Sequence, residues 1–342
     1  MLREVYPERS ERAQGDSEGL SMTEPIDVGP MCKPELSVLI STYNRKEILL
    51  KTLAAYQAQS ARSEILEVLV LDDGSTDGTS DAMAEFRAHN ELPVRYFQLT
   101  HRGSAAVRNY GIGEAKGKFI LFGDDDILPV RNLIEEHLTW HRNHPQPSVG
   151  ILGFVEWAPE VNPTPFMHWL AAEGFFSYGQ LEAGKEAGFG CFYTGNLSLK
   201  TDFLRENGLF DEDFKAYGFE DTELGYRLEK KGFRLLYNPR AIGYHYKFVS
   251  FRDTCRRAKV VAAARRLFEK KEAGQYLSEL YRRRERTPAM RVKRLLGMPL
   301  IPLAALLRPF VDTRIALPRF IYRRLYYYFA VLPAEREAKH TS

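Results

Sequence analysis

Lys118-Phe119-Ile120-Leu121-Phe122-Gly123-Asp124-Asp125-Asp126 is a short apolar run that ends in three carboxylates. Phe119 to Phe122 reads as a buried strand. Adjacent carboxylates repel, so three together need a cation, a hydrogen-bond network or open solvent to offset them. At the carboxyl end of a strand in an open α/β sheet, where ligands bind, the cation is the stronger reading. Hard divalent ions take oxygen ligands, and Mg²⁺ uses one or two carboxylates plus substrate phosphate. The plainer alternative is an exposed acidic turn ahead of Pro129, which is expected to open the next helix.

Working outward, apolar runs alternate with helical patterns. Strands are expected at Leu36–Ser41, Ile65–Leu71, Val94–Gln98 and Phe119–Phe122. Helices follow them, to about Gln59, to about Ala88, over Gly103–Ala115 and to about Asn143. This alternation predicts βαβ units and a parallel sheet. The second strand also ends in paired acids, Asp72-Asp73, so two acidic turns share one sheet edge. Further strands are expected at Val149–Trp157, Phe192–Leu199, Phe233–Tyr237 and Ala241–Tyr246. Between them lie an irregular, aromatic- and proline-rich region at 158–190 with a short helix near Phe166–Ala172, and helices at Asp202–Glu206 and Phe219–Lys231. One long helix is expected from Phe251 to about Arg286, with apolar positions 251, 255, 258 and 262 on its inner face.

The net charge of +3 hides an asymmetry. From Phe251 to Ser342 there are 22 Lys and Arg against 8 Asp and Glu, while the rest of the chain is net −11. An acidic body is thus followed by a basic tail, in which Arg319, Arg323 and Arg324 interleave with aromatics. Such a tail suits an anionic membrane surface, here across 287–332, or nucleic acid, for which no motif is present; the plainer alternative is that its helices pack on the acidic body or a second subunit with the arginines exposed. Residues 1–34 read as disordered. No apolar leader is visible, and Leu295–Leu307 is too short to span a bilayer. Cys32, Cys191 and Cys255 lie far apart, which argues against a disulfide framework or a zinc site and for a reducing compartment.

Each candidate residue has a plain alternative. Asp73 can accept from a base imide or a ribose hydroxyl, or it belongs to a helix-capping turn. Arg108, on a helix that starts with small residues, can meet a phosphate or lie on the surface. Asp221 can serve as a general base, or it is one of the acids favoured in a first helical turn. His245 becomes a ligand only where the fold brings it to the acidic triplet. Strand one leads to Ser41-Thr42-Tyr43-Asn44 rather than G-x-G-x-x-G, which argues against a dinucleotide-dependent oxidoreductase. A non-catalytic sugar-nucleotide-binding or scaffold protein is the rival of another class.

Taken together, Val38–Arg45, Leu69–Asp77, Gly103–Gly111, Phe122–Asp126, Gly195-Asn196 and Gly218–Leu228 resemble, in order and spacing, the family 2 glycosyltransferases. Gly123 stands where many members carry Leu. The resemblance covers roughly 36–250 and implies a GT-A fold, a Rossmann-like, mostly parallel central sheet flanked by helices. Residues 35–250 would be this catalytic domain and 251–342 a basic α-helical C-terminal extension. It implies inverting, metal-dependent transfer from a nucleoside-diphosphate sugar, usually UDP-linked, to a saccharide or lipid-linked acceptor, with Mg²⁺ or Mn²⁺. Thr42, Asp73, Arg108 and Asp124 would line the nucleotide pocket. Asp124, Asp126 and His245 would hold the metal, with the register of the triplet open by one and Asp126 its principal ligand. Asp221 would be the base. The implied setting is bacterial polysaccharide or glycolipid synthesis, in the cytoplasm or peripherally on the cytoplasmic face of the membrane.

Overall fold

The computed structural model describes residues 34–176, 178–215, 217–285, 306–334 and 337. The segment 1–33 and most of the Leu295–Leu307 stretch lie outside the described residues. Eight strands form one sheet in the order β3-β2-β1-β4-β7-β6-β8-β5. These are β1 (Leu36–Thr42), β2 (Ile65–Asp72), β3 (Val94–Gln98), β4 (Phe119–Asp124), β5 (Ile127–Pro129), β6 (Val149–Trp157), β7 (Asn196–Lys200) and β8 (Arg234–His245). β3, β2, β1 and β4 pair in parallel, as do β6 and β8; β7 and the edge strand β5 run against their neighbours.

The first strands are apolar on both faces because helices cover both. One face carries Val38, Ile40, Val70 and Leu121 against α1 (Lys46–Gln57), α2 (Thr79–His89) and α4 (Leu133–Asn143). The other carries Leu39, Leu71, Ile120 and Phe122 against α3 (Ser104–Glu114), α6 (Thr201–Asn207) and α7 (Glu220–Lys230). Fully buried side chains such as Leu49 and Leu53 of α1 contribute about 2 kcal/mol each.

Three expectations need correction. Pro129 does not open a helix; it closes β5, which pairs with Gly243–His245, and α4 starts at Leu133. An edge strand tolerates the missing N–H. Phe233–Tyr237 and Ala241–Tyr246 are not two strands: β8 is continuous, with its pairing to β6 jumping from Gly153–Asn238 to Phe154–Ile242. Asn196 fills that irregularity, its amide donating to Phe154 O at 3.1 Å and Ala241 O at 2.8 Å. Its carbonyl meets His137 Nε2 at 2.8 Å, and His137 Nδ1 and His141 Nε2 each lie 2.8 Å from Ser198 Oγ.

The long helix breaks in two, α8 (Phe251–Lys270) and α9 (Glu272–Glu285). Lys271 turns out to Asp211 at 2.6 Å and Asp213 at 2.8 Å. A Cβ on Gly274 would come within 2.0 Å of Phe268 O, so the tight crossing requires glycine. Of the expected stripe only Phe251 is fully buried. The far end of α8 instead buries Ala264 and Phe268 with Phe214 and Tyr226. A Ser250–Asp253 capping box starts α8. In the tail, α10 (Arg319–Tyr326) buries Ile321, Tyr322 and Leu325 on α5 (Pro165–Leu170), with Tyr322 5.8 Å from both Phe166 and Trp169. No helix among the described residues is long and apolar enough to cross a membrane.

The Asn196 network makes two measurable demands. Asn196→Ala removes a partner from the carbonyls of Phe154 and Ala241 and from His137 Nε2, so urea unfolding at pH 7 should show a loss of about 1–3 kcal/mol. Burial lowers His137 to about 4 from an ordinary 6.5. The unfolded chain therefore takes up a proton that the native fold rejects, and stability should fall as pH drops from 6.5 toward 4. A urea midpoint unchanged between pH 7 and pH 5 would contradict this role.

Candidate functional site

Register places the site. Thr42 lies beside Asp72 and Ser41 beside Asp124, so the carboxyl ends of β1, β2 and β4 form one edge. Antiparallel β7 brings Gly195 to the same edge, since Asn196 pairs with Gly123. β8 ends there too, with His245 opposite Ile127 and Trp157. A cleft of about 480 Å³ opens on this edge, lined among others by Thr42, Asp73, Arg108, Asp124, Asp126, Asp221 and His245. All the residues singled out from the sequence therefore meet in one place.

The three acids differ in role. Asp125 is buried and held from three sides: Thr42 Oγ1 donates to it at 2.7 Å, Arg45 Nη1 pairs with it at 2.8 Å, and Thr52 Oγ1 donates to its backbone oxygen at 2.7 Å. Burial, aided by the charge of Asp126 and opposed by Arg45, pushes its carboxyl up to about 7. Asp126 pairs with Arg45 Nη2, lies 3.7 Å from His245 Nε2, and accepts at its backbone oxygen from Tyr246 N at 2.7 Å. Burial opposes ionisation of Asp126, but His245 and Arg45 outweigh it and hold the carboxyl below its ordinary range. Burial lowers His245 to about 4, so at neutral pH its imidazole is uncharged and the cation beside Asp126 is Arg45. Asp124 faces the cleft. Burial raises its carboxyl against the pull of Arg108.

Gly123 has a local cause. A Cβ there would fall 2.8 Å from the hydroxyl oxygen of Tyr56, a buried side chain of α1. The tyrosine occupies the room that a leucine at 123 would need.

Arg108 is itself buried. Its Nη1 meets Glu220 Oε1 at 2.9 Å and its Nη2 lies 3.5 Å from Asp124 Oδ1. It thus ties the end of β4 to the start of α7. Asp73 accepts from Arg102 N at 2.8 Å and Gly103 N at 3.1 Å, with His101 Nδ1 at 2.8 Å, and so fixes the loop before α3. Phe219, just before α7, has φ 68° and ψ −9°, a left-handed conformation unfavourable for a bulky residue. Its ring stacks on Phe268 of α8 at 4.9 Å, and Glu220 Oε2 accepts from Gly218 N at 2.8 Å. Asp221 follows, half-buried, accepting from Thr222 N at 2.7 Å. Burial and the neighbouring Glu220 raise its carboxyl to about 7, against Arg108.

Across the cleft the lining is aromatic. Phe176, Tyr217 and Val249 line the cavity, and Phe176 and the buried Trp157 stand edge-on to His245 at 5.7 and 5.1 Å. Arg257 of α8 lies 4.5 Å over the Tyr217 ring. Among the described residues no group of three His, Cys, Asp or Glu is arranged to enclose a metal ion. The oxygen and imidazole donors of Asp124, Asp126 and His245 nevertheless suit Mg²⁺ or Mn²⁺ when substrate phosphate completes the shell.

Sequence reasoning left Arg45 without a role, although it stands three residues beyond Thr42 at a strand end facing an acidic turn. It placed Glu220 only in a helical first turn. Arg257 and Lys247 carry no local signal; the course of the chain into α8 brings them to the cleft.

A sheet of this order, with an acidic turn at its central edge and an acidic helix start facing it, defines the GT-A class of glycosyltransferase fold. A family profile described as Glycosyl transferase family 2 matches residues 37–194. Over that stretch the chain is similar to the family 2 glycosyltransferases. It is 34% identical over 224 residues to validoxylamine A glucosyltransferase of Streptomyces hygroscopicus subsp. limoneus, covering 58% of this chain and 49% of that one. The chain spans about half the length of the first curated relatives it matches. The mannosyltransferase PcManGT from Pyrobaculum calidifontis, solved with GDP-Man and Mn²⁺, superposes with a TM-score of 0.54 at 19% identity, over 93% of this chain and 90% of that one. S. aureus TarS 1-349 in complex with UDP gives 0.51 at 20% identity, over 90% and 92%.

The Arg45 pairing sets a test. Arg45→Ala leaves Asp125 and Asp126 without their cation and should lower stability by about 1–3 kcal/mol, discounted for the partial exposure of the arginine. Millimolar Mn²⁺ should then raise the melting temperature of the variant more than that of the wild type. Equal shifts in both would show that Arg45 does not balance the triplet.

Proposed function

We propose that the protein is a metal-dependent inverting glycosyltransferase. In this reading it moves a sugar from a nucleoside-diphosphate donor, UDP-linked, to an acceptor hydroxyl. The observation that carries the proposal is one cleft with a cation-balanced acidic wall at Asp124 and Asp126 and a carboxyl poised near neutrality at Asp221. Asp221 takes the proton of the acceptor hydroxyl. The freed oxygen attacks the anomeric carbon, and the bond to the diphosphate breaks with its electron pair leaving on the phosphate. Asp124, Asp126 and His245 would hold Mg²⁺ or Mn²⁺, which when bound neutralises charge on the leaving diphosphate. Thr42, Asp73 and Arg108 line the nucleotide side, acting through the turns and ion pairs they fix. The UDP-bound and GDP-Man-bound neighbours support a nucleotide in this cleft.

The acceptor in this proposal is a saccharide or a lipid-linked saccharide of bacterial polysaccharide or glycolipid synthesis. It is reached from the cytoplasmic side at an anionic membrane surface. We take 35–250 as the catalytic domain and 251–342 as its basic extension.

Asp221→Asn should lower kcat by about a thousandfold with donor KM little changed. Asp126→Ala should abolish transfer while the chain stays folded. In the wild type kcat should rise with pH through about 7, as Asp221 loses its proton, and this acid limb should vanish in the residual activity of Asp221→Asn. Transfer would be followed with UDP-, GDP- and dTDP-sugars and Mn²⁺, after a thermal-shift screen for the donor. Wild-type turnover in either variant refutes the assignment.

A further inference from the structure

We propose that the outward face of α10, formed by Arg319, Phe320, Arg323 and Tyr327, docks on an anionic phospholipid bilayer. These positions fall on one side of the helix, opposite Ile321, Tyr322 and Leu325, which are buried on α5. Phe320 is 52% exposed and Tyr327 48%, and the Arg319 and Arg323 side chains are 72% and 69% exposed. Six of the thirteen exposed large apolar side chains among the described residues lie between Leu306 and Tyr328, so exposed apolar residues are concentrated in this part of the chain. A helix with one packed face, and arginines among aromatics on the other, suits the headgroup boundary.

Charge selects the occupant. The chain from Phe251 onward has 22 basic against 8 acidic residues, while the preceding body is net negative. An anionic surface attracts the first and repels the second, which orients the molecule. A second copy meeting this face by twofold symmetry would set arginine against arginine. Nucleic acid gives no reason for Phe320 to be exposed on the same helix face as the arginines.

The face is also coupled to the cleft. Phe166 and Trp169, which receive α10, belong to the same apolar cluster as Trp157 and Phe176 beside His245. Resting on the transfer reading above, this connection points to a lipid-linked acceptor entering along the aromatic side. Glu173 restrains the face, with Oε1 3.1 Å from Arg319 and Oε2 2.7 Å from Arg323.

The test is flotation of the full chain with vesicles of phosphatidylcholine alone, or with about a third phosphatidylglycerol. The wild type should float only with the anionic vesicles and be released by high salt. The triple variant Arg319→Gln, Phe320→Ser, Arg323→Gln should bind about tenfold more weakly at an unchanged melting temperature. Glu173→Gln, which frees both arginines, should bind more strongly. Failure of the wild type to float, or equal flotation of wild type and triple variant, overturns the proposal; so does a dimer that the triple variant dissolves. Asp221→Asn should float like the wild type, and the triple variant should still glycosylate a water-soluble acceptor, so a failed transfer reading and a failed docking proposal are told apart.

Discussion

Three carboxylates in a row at the end of a buried strand are the constraint that the site answers. At about 4 Å and an intermediate dielectric, each like-charge contact costs about 4 kcal/mol, too much for a marginally stable fold to leave unbalanced. Two arginines from different elements meet that cost. Arg45 comes from beyond β1, directly beside β4 in the sheet, and Arg108 from α3 on the other face. Asp125 gives its oxygens to Thr42 and Arg45 while lining the cleft with its two neighbours. Asp124 ends β4, and Asp125 and Asp126 form the turn that follows it, so the three carboxylates are held by different partners at one edge of the sheet.

That arrangement makes the arginines part of the catalytic geometry without requiring them to touch substrate. Arg108 links Asp124 to Glu220, the residue before Asp221, the proposed base. Glu220 in turn raises the Asp221 carboxyl and accepts from Gly218. The turn that aims Asp221 is held in an unfavourable backbone conformation at Phe219, and the stack on Phe268 offsets part of that cost. The proposed base is therefore positioned by a helix more than thirty residues later in the chain, so α8 belongs to the structural support of the cleft.

Much of this was legible in the sequence, for physical reasons. Strands covered on both faces leave continuous apolar runs, so β1, β2 and β4 could be read almost to the residue. Acids at strand ends are visible wherever the chain must turn, so Asp73, Asp124, Asp126 and Asp221 stood out. What could not be read were contacts fixed by packing between distant segments. Asn196 stands out in the sequence only as part of a family-like stretch, and its closing of the irregularity between β6 and β8 carries no local signal. Pro129 carries the same local signature at an edge strand as at a helix start. The break at Lys271 depends on Asp211 and Asp213, some sixty residues away.

The two walls of the cleft also differ in how they are held, which bears on what each can accept. The acidic wall is fixed by ion pairs and backbone amides with defined directions, as suits a diphosphate whose oxygens must be placed relative to the anomeric carbon. The aromatic wall is held by ring packing, and Trp157 spends its only donor on Met167 O at 2.9 Å. Such a surface offers area and few directional bonds, so it can take apolar or saccharide faces without dictating one orientation. Because Phe176 of that wall belongs to the same apolar cluster as Phe166 and Trp169, which receive α10, the proposed docking of the tail would bear on the aromatic side, while Arg45 and Arg108 hold the acidic side.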